Sequence, residues 1–134
     1  MNAIADTGWI VAFRNPKDAH HEWAKSIAEE LTLPILVCES VLSEASFHLG
    51  SEAVLKMLRA GVFKLSFRLE DHQDRISELS LAYANRKPDL ADLCVVRMSE
   101  LFKTSSVLTV DRDDFEVYRR FRGERIPFLA PLRK

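Results

Sequence analysis

The sequence predicts an α/β fold: a compact three-layer α/β/α sandwich with a central, mainly parallel sheet of four to five strands. Short apolar runs, typical of strands covered on both faces, alternate along the chain with longer segments of helical periodicity. Helices separate successive strands, so we expect parallel crossover connections. The 134 residues, of which 47% are hydrophobic, suit a single domain spanning residues 1–134.

The N-terminal part of the chain predicts one strand and two helices. Residues 2–5 form a short apolar strand that ends on Asp6, and a strand this close to the start is a candidate for the centre of the sheet. Residues 7–13 form a short apolar helix, which Thr7 is expected to cap. Residues 17–31 repeat an apolar side chain every four positions, which predicts an amphipathic helix.

The middle of the chain predicts two more strands and three helices. The nearly all-apolar run 34–37 is typical of a strand buried on both faces. A glycine ends each of the helices predicted over 39–49 and 51–60. Alternating residues over 62–67 predict a strand nearer an edge of the sheet, and the pattern over 70–85 predicts a further helix.

The C-terminal part predicts a buried helix and two strands. The helix from 88 to 102 has apolar residues on nearly all of its faces, which indicates burial. Residues 106–110 form a strand that is followed by Asp111, and residues 112–121 form a short helix or turn. Residues 126–129 predict a last edge strand, where proline is tolerated.

Composition and charge disfavour several classes of protein. The formal net charge of -1 gives no overall basic field, so whole-protein charge does not predict nucleic-acid binding. No apolar run is long enough to span a bilayer and no signal peptide is evident, so we expect a soluble, cytoplasmic protein without a membrane partner. Cys38 and Cys94 lie in apolar segments and are expected to be buried, reduced thiols.

Four acidic residues are set apart by their surroundings. Asp6 and Asp111 each follow a predicted strand, and parallel strands direct such residues into the crevice at the carboxyl edge of a sheet. Asp92 lies one turn into the buried helix, and Glu44 lies mid-helix at the border of an apolar stripe. None has an obvious basic partner at helical spacing, and burying an isolated charge is costly.

Converging carboxylates of this kind indicate a divalent cation. Hard ions such as Mg²⁺ and Mn²⁺ prefer oxygen ligands, and such a site can activate water and offset the charge of a phosphodiester. The residues therefore predict metal-assisted phosphodiester hydrolysis. Each acid also has a simpler interpretation: a helix cap (Asp6), a first-turn acid favoured by the helix dipole (Asp92), a solvated side chain (Glu44) or a polar turn (Asp111). Only their joint placement favours the functional interpretation.

Four motifs in order give the chain a resemblance to a known family. They are Asp6-Thr7-Gly8-Trp9, Val41-Leu42-Ser43-Glu44-Ala45, Asp89-Leu90-Ala91-Asp92 and Leu108-Thr109-Val110-Asp111-Arg112-Asp113-Asp114-Phe115. In order and spacing, nearly the whole chain resembles a PIN domain of the VapC-like group. The resemblance implies an endoribonuclease that depends on Mg²⁺ or Mn²⁺. It also implies that the protein is often the toxin of a toxin–antitoxin pair, with a cognate antitoxin as partner, and often a homodimer.

The same resemblance implies roles for individual side chains. The catalytic set that it implies is Asp6, Glu44, Asp92 and Asp111. The three aspartates would bind the metal directly, while Glu44 would bind it directly or hold its water. The supporting set is Thr7, Asp89, Thr109 and Asp114. The Thr109 hydroxyl would orient a carboxylate or a water on the metal.

Basic residues near the C-terminus are candidates for contact with the RNA substrate. Between positions 119 and 134 there are six Lys or Arg residues and a single acid, Glu124. Arginine suits phosphate because its fork binds two oxygens. The predicted RNA-binding residues are Arg112, Arg119, Arg120 and Arg122. The alternative is a solvated surface helix with intramolecular pairs to Glu116 and Glu124.

Three other functions are alternatives to this one. The first is a non-catalytic RNA- or partner-binding PIN module, which the filled acidic positions disfavour without excluding it. The second is a response-regulator receiver, which needs a paired acid near the first strand and a lysine after a late strand; here the late strand is followed by Asp111 and Arg112. The third is an Asp-x-Asp phosphatase, which is disfavoured because Gly8 stands two residues after Asp6.

Overall fold

Five parallel strands form the central sheet in a computed structural model that describes residues 1–132. In chain order the strands of the described residues are β1 (Ala3–Ala5), β2 (Ile35–Val37), β3 (Phe63–Leu65), β4 (Ser106–Leu108), β5 (Arg119–Arg120), β6 (Glu124–Arg125) and β7 (Phe128–Leu129). Two of these strands, β5 and β6, form a separate hairpin. The sheet has the order β3-β2-β1-β4-β7, and each neighbouring pair is parallel. β1 therefore lies at the centre and β3 and β7 lie at the edges, as the sequence predicted.

Seven α-helices flank this sheet within residues 1–132. They are α1 (Thr7–Arg14), α2 (His21–Ala28), α3 (Glu39–Leu49), α4 (Ser51–Arg59), α5 (Gln73–Ala82), α6 (Leu90–Leu101) and α7 (Arg112–Val117). α1 packs against α2 and α3, and α6 packs against α5 and against the central strands β1 and β4. The predicted α/β/α sandwich is confirmed. Over the described part of the chain, no helix combines the length and apolar character that a membrane crossing requires.

The hydrophobic core lies where the central strands meet the helices. Ile4 on β1 and Val107 on β4 are fully buried, as is Trp9, which stacks on the ring of Phe13 at 5.0 Å between centroids. Helix α6 is buried on most of its faces, in agreement with its apolar sequence. Both cysteines are buried and free, also as predicted.

The cap of α1 differs from the prediction that Thr7 would provide it. Asp6 has an extended backbone, and its carboxylate accepts a hydrogen bond from the Thr7 backbone N–H at 2.9 Å. Thr7 is therefore the first helical residue rather than the cap. Aspartate is a strong N-cap because its oxygen satisfies a backbone N–H that has no partner inside the helix. This arrangement leaves the Thr7 hydroxyl available for a different contact.

Two predicted helices are shorter in the structure than their sequence patterns. Helix α2 begins at His21 rather than at residue 17, because the Asp18 carboxylate accepts a hydrogen bond from the His20 backbone N–H at 2.8 Å and stabilises a turn there. The helix predicted over 70–85 contains α5 with a 3₁₀ turn on either side, at Leu69–His72 and at Ala84–Arg86. The polar patterns at these ends suit turns as well as helices.

The segment 112–121 is only partly helical. After α7, the chain forms an antiparallel hairpin in which β5 pairs with β6. Arg122 and Gly123 have φ angles of 63° and 69° in the connecting turn, a conformation that ends helical structure. The alternative of a surface helix that carries the C-terminal arginines is therefore wrong, although the ion pairs that it expected to Glu116 and Glu124 are present, with Arg112 and Arg120.

Candidate active site

The carboxyl ends of β1 and β4 bring two of the predicted acids to one edge of the sheet. The strands pair in parallel with Ala5 opposite Leu108, and the Asp6 backbone N–H donates to the Leu108 carbonyl at 2.9 Å. Asp6 follows β1 directly, and Asp111 follows β4 after two intervening residues. The register therefore directs both residues to the crevice where open α/β sheets bind their ligands.

Thr109 connects these two acids. Its buried hydroxyl donates to Oδ2 of Asp6 at 2.9 Å. The Thr109 hydroxyl oxygen also accepts a hydrogen bond from the Asp111 backbone N–H at 3.0 Å. The Thr109 side chain thus fixes the Asp6 carboxylate relative to the backbone of Asp111.

Asp6 is a buried carboxylate with one donor on each oxygen. Only 6% of the residue is exposed, and its partners are the Thr7 backbone N–H and the Thr109 hydroxyl. The pKa of Asp6 is raised to about 6, chiefly by burial and to a smaller extent by the charges of Asp111 and Glu44, against the lowering effect of the two hydrogen bonds. Asp6 is therefore both the helix cap and a member of a group of mutually repelling acids.

Glu44 reaches this group from helix α3. The Thr7 hydroxyl, which is free because Asp6 caps α1, donates to Oε1 of Glu44 at 2.7 Å. Thr7 thus bonds to two acids, through its backbone N–H to Asp6 and through its side chain to Glu44. The first turn of α1 sets the position of both carboxylates.

Asp92 enters from the first turn of α6. Asp89 caps this helix and accepts a hydrogen bond from the Asp92 backbone N–H at 2.9 Å, while Oη of Tyr118 lies 3.5 Å from Oδ2 of Asp92. Burial is the largest cause that raises the pKa of Asp92 to about 8, and repulsion from Asp6 is the next. The carboxyl of Asp92 therefore keeps its proton to a higher pH than an ordinary aspartate does.

Asp111 is the most exposed of the four acids, and Asp114 lies beside it on α7. Burial raises the pKa of Asp111, Asp114 raises it further, and Arg86 lowers it. Asp114 is itself paired, since Oδ1 lies 2.7 Å from Nη2 of Arg86. The predicted supporting residue Asp114 thus brings a basic side chain to the border of the acidic group.

Three of the four arginines predicted to bind RNA make intramolecular contacts, namely Arg112, Arg119 and Arg120. Arg112 donates to the carbonyls of Ala130 and Pro131 at 2.9 and 3.2 Å, which ties α7 to the segment after β7. Arg119 donates to three neighbouring carbonyls. Arg120 pairs with Glu124 and donates to two carbonyls near the end of α6. Their role in RNA binding stays a prediction.

The donor chemistry of the acidic group fits a hard divalent cation. All of its potential ligand atoms are carboxylate oxygens, and repulsion from neighbouring acids helps to raise the pKa values of Asp6, Asp92 and Asp111. A bound cation relieves such repulsion. Within residues 1–132, however, no three acidic, histidine or cysteine side chains already stand at metal-binding separation. A cation would therefore have to draw the carboxylates closer together.

Two residues of this region were missed from the sequence, Arg86 and Tyr118. Arg86 lies in a 3₁₀ turn, 28 positions before its partner Asp114 in the sequence. Tyr118 immediately follows α7 and is 26 positions after Asp92, which its hydroxyl contacts. No spacing in the sequence indicates that Tyr118 lies beside Asp92. The one signal that could have pointed to Arg86 is its place three residues before Asp89, in the loop that leads into the buried helix.

Comparison with known proteins identifies a distant relative. No protein-family model matches the chain. Ribonuclease VapC26 of Mycobacterium tuberculosis (strain ATCC 25618 / H37Rv) is 20% identical over 133 residues, an alignment that covers 94% of this chain and 98% of the relative. The match is distant, but it extends over nearly the full length of both proteins. It supports the resemblance to VapC-like proteins that the four motifs indicate.

Proposed function

We propose that this protein is an endoribonuclease that hydrolyses RNA phosphodiester bonds with the help of Mg²⁺ or Mn²⁺. The observation that carries the proposal is that four acids, Asp6, Glu44, Asp92 and Asp111, are brought to the carboxyl edge of the sheet. Hydrogen bonds of Thr7 and Thr109 position Glu44 and Asp6, and the charges of these acids act on one another. Such a group of repelling carboxylates costs stability in the free protein. A function that uses their charge accounts for that cost.

The residues of the chain divide the work between metal binding and positioning. Asp6, Asp92 and Asp111 would hold the cation, and Glu44, oriented by Thr7, would hold the attacking water. A bound divalent cation at such a site supplies water activation and neutralises charge on the phosphodiester. Thr109 would keep the Asp6 carboxylate in place while the nucleophilic oxygen bonds to phosphorus and the bond to the leaving oxygen breaks.

The comparison supports the class of reaction and suggests the biological setting. The relative is named a ribonuclease, which favours RNA over other phosphodiesters as the substrate of this chain. Together with the VapC-like motifs, it leads us to propose a toxin of a toxin–antitoxin pair, with a cognate antitoxin as protein partner. A homodimer remains a prediction from the resemblance.

The test is cleavage of a mixed RNA pool by wild type and Asp6→Asn, each with Mn²⁺ and with EDTA. Asp74→Asn is the matched control, because it removes one exposed aspartate charge from α5. We expect cleavage by wild type and by the control with Mn²⁺, and none by Asp6→Asn. Mn²⁺ is also expected to raise the melting temperature of wild type more than that of Asp6→Asn, since it binds the folded state.

Two outcomes would contradict the proposal. Equal cleavage by wild type and Asp6→Asn would assign the activity to something other than this site. Tight RNA binding without cleavage, and without a melting-temperature shift in Mn²⁺, would favour the non-catalytic module instead.

A further inference from the structure

Arg86 and Asp114 form an ion pair at the border of the acidic group. The pair joins the turn Ala84–Arg86, which precedes α6, to the first turn of α7, with 2.7 Å between Nη2 and Oδ1. The side chains are 31% and 30% exposed, so the pair is neither deeply buried nor fully solvated. Solvent, and hence a ligand, has access to part of this guanidinium.

The charge of Arg86 acts on the candidate active site. Burial raises the pKa of Asp111 most, and Arg86 opposes that rise. Arg86 likewise opposes the rise of the Tyr118 pKa that burial causes. The Tyr118 hydroxyl lies 3.5 Å from Oδ2 of Asp92. Its positive charge therefore acts on Asp111 and on the tyrosine that contacts Asp92.

The hydrogen bonds of Arg86 distinguish it from Arg112 and Arg120, two of the arginines that the sequence singled out. Arg112 donates from Nε and Nη2 to backbone carbonyls, and Arg120 donates from Nε, Nη1 and Nη2. Arg86 donates only from Nη2 to the residues that the structure describes, so Nε and Nη1 have no acceptor there. A guanidinium held by a carboxylate through one nitrogen keeps N–H donors on the other two for another oxyanion.

We infer that Arg86 is a phosphate-binding residue that holds a non-bridging oxygen of the RNA backbone beside Asp111. The inference rests on the proposed function and names the side chain that receives the substrate. RNA is a polyanion, and the acids at the site repel it in the absence of a compensating charge. Asp114 fixes the guanidinium through Nη2, and an N–H of Nη1 or Nε is the donor for the phosphate oxygen.

The test measures RNA binding in the cleavage-deficient Asp6→Asn background, by fluorescence anisotropy of a labelled single-stranded RNA of mixed sequence. The variants are Arg86→Ala and Arg86→Lys, with Asp114→Asn as the comparator that breaks the same ion pair and keeps the guanidinium. Arg59→Ala is the charge-matched control, because it removes an arginine that pairs with Glu52 on α4 at 3.2 Å. Each is measured with Mg²⁺ and with EDTA, over about 50 to 200 mM KCl.

Arg86→Ala is expected to weaken RNA binding by about 10-fold and to reduce the salt slope by about one, as the loss of one phosphate contact requires. Arg86→Lys should recover part of the affinity, because it restores the charge without the fork. Asp114→Asn should bind RNA at least as tightly as the parent, since it removes a negative charge. Arg59→Ala should leave the salt slope unchanged.

Two results would overturn the inference. One is unchanged RNA affinity in Arg86→Ala. The other is an equal loss in Arg86→Ala and Asp114→Asn, which would make the ion pair purely structural. Failure of the proposed function is separate, because it appears as equal cleavage by wild type and Asp6→Asn, whereas the Arg86 result is read from binding alone.

Discussion

The hydroxyl of Thr109 and the carboxylate of Asp6 are joined by a 2.9 Å hydrogen bond across 103 positions of sequence. The two residues follow adjacent parallel strands, so the bond links the carboxyl ends of β1 and β4. Thr109 also accepts from the backbone N–H of Asp111. A single buried hydroxyl therefore holds together the two strand ends on which the candidate site is built.

Thr109→Val is expected to destabilise the protein more at pH 8 than at pH 5. Valine has nearly the same shape but no donor, and Asp6, whose pKa is about 6, is charged at the higher pH. A hydrogen bond to a charged group contributes about 2 kcal/mol and one to a neutral group about 1 kcal/mol. Urea unfolding at the two pH values measures the difference. Thr109→Ser keeps the hydroxyl, so its loss of unfolding free energy should be the same at pH 5 and pH 8. A pH-independent loss of unfolding free energy in Thr109→Val would contradict the role of the bond.

Thr7→Val is expected to reduce RNA cleavage by about 10- to 100-fold while it changes stability by about 1 kcal/mol. The valine keeps the backbone N–H that Asp6 caps but removes the 2.7 Å bond to Glu44. Glu44 is then no longer oriented toward the site. Single-turnover cleavage and urea unfolding measure the two effects. Thr7→Ser should retain most of the activity, and equal rates for the serine and valine variants would rule out positioning by this hydroxyl.

Asp6→Asn is expected to be more stable than wild type in EDTA above pH 7. Burial raises the Asp6 pKa from its ordinary value of 3.8 to about 6. Between about pH 4 and pH 6 the folded protein keeps the Asp6 proton that the unfolded chain has lost. The stability that the protonated Asp6 contributes to the fold is therefore fully present below about pH 4 and is lost as pH rises through 6. The pKa change corresponds to about 3 kcal/mol as an upper value.

The measurement is urea unfolding of both proteins at pH 4, 6 and 8. The two should have nearly equal stability at the lowest pH, where Asp6 is protonated and resembles asparagine. A stability difference that stays constant across this range would show that Asp6 does not carry the expected electrostatic cost.

Most of the fold was predictable because its signals are local. The short apolar runs marked β1, β2 and β4, and the apolar faces of α6 marked its burial. The same local signals misled at Arg119–Arg120, where a helical pattern hid a hairpin. That hairpin depends on the positive φ angles of Arg122 and Gly123 and on contacts of Arg120 with α6, neither of which helical periodicity reports.

The candidate site was predictable only in part, for a similar reason. The acids could be placed near one another because strand ends and helix starts have known positions in a parallel sheet. Which side chain bonds to which could not be read from spacing: the sequence does not reveal that Asp6 caps α1 and so frees Thr7 for Glu44. Arg86 was missed because its partner Asp114 is 28 positions away.

Glu100→Gln is expected to lower the free energy of unfolding by about 2 to 4 kcal/mol. The Glu100 side chain is only 1% exposed, accepts two hydrogen bonds from Arg75 at 2.9 and 2.7 Å, and pairs with Arg97 at 3.2 Å. Both guanidiniums also lie against the ring of Phe121, so the carboxylate ties α5 and α6 to the C-terminal hairpin. Glutamine keeps the shape but leaves two positive charges without their counter-ion.

Urea unfolding of Glu100→Gln and of a control variant tests this network. Glu52→Gln breaks an exposed ion pair with Arg59 and should change stability by less than about 0.5 kcal/mol. A similarly small change in Glu100→Gln would mean that the two arginines are adequately hydrated without the carboxylate.

Gly8→Ala is expected to destabilise the protein by about 1 to 3 kcal/mol, although alanine is the better helix former. Gly8 lies in the first turn of α1, and a Cβ placed there would overlap Cγ2 of Val110. Val110 stands between Thr109 and Asp111, so the overlap would push the start of α1 away from the loop that follows β4. The unfavourable sign is itself informative, because helix propensity alone predicts a gain of about 1 kcal/mol.

The second substitution Val110→Ala removes the atom that the new methyl group meets and so tests the cause directly. In the Gly8→Ala, Val110→Ala double variant, the helix propensity of alanine is no longer opposed by overlap. The double variant should therefore be more stable than the sum of the two single changes predicts, by at least about 1 kcal/mol in a double-mutant cycle. Additive losses would show that the space beside Gly8 is not limited by Val110, and that the glycine is required there for another reason.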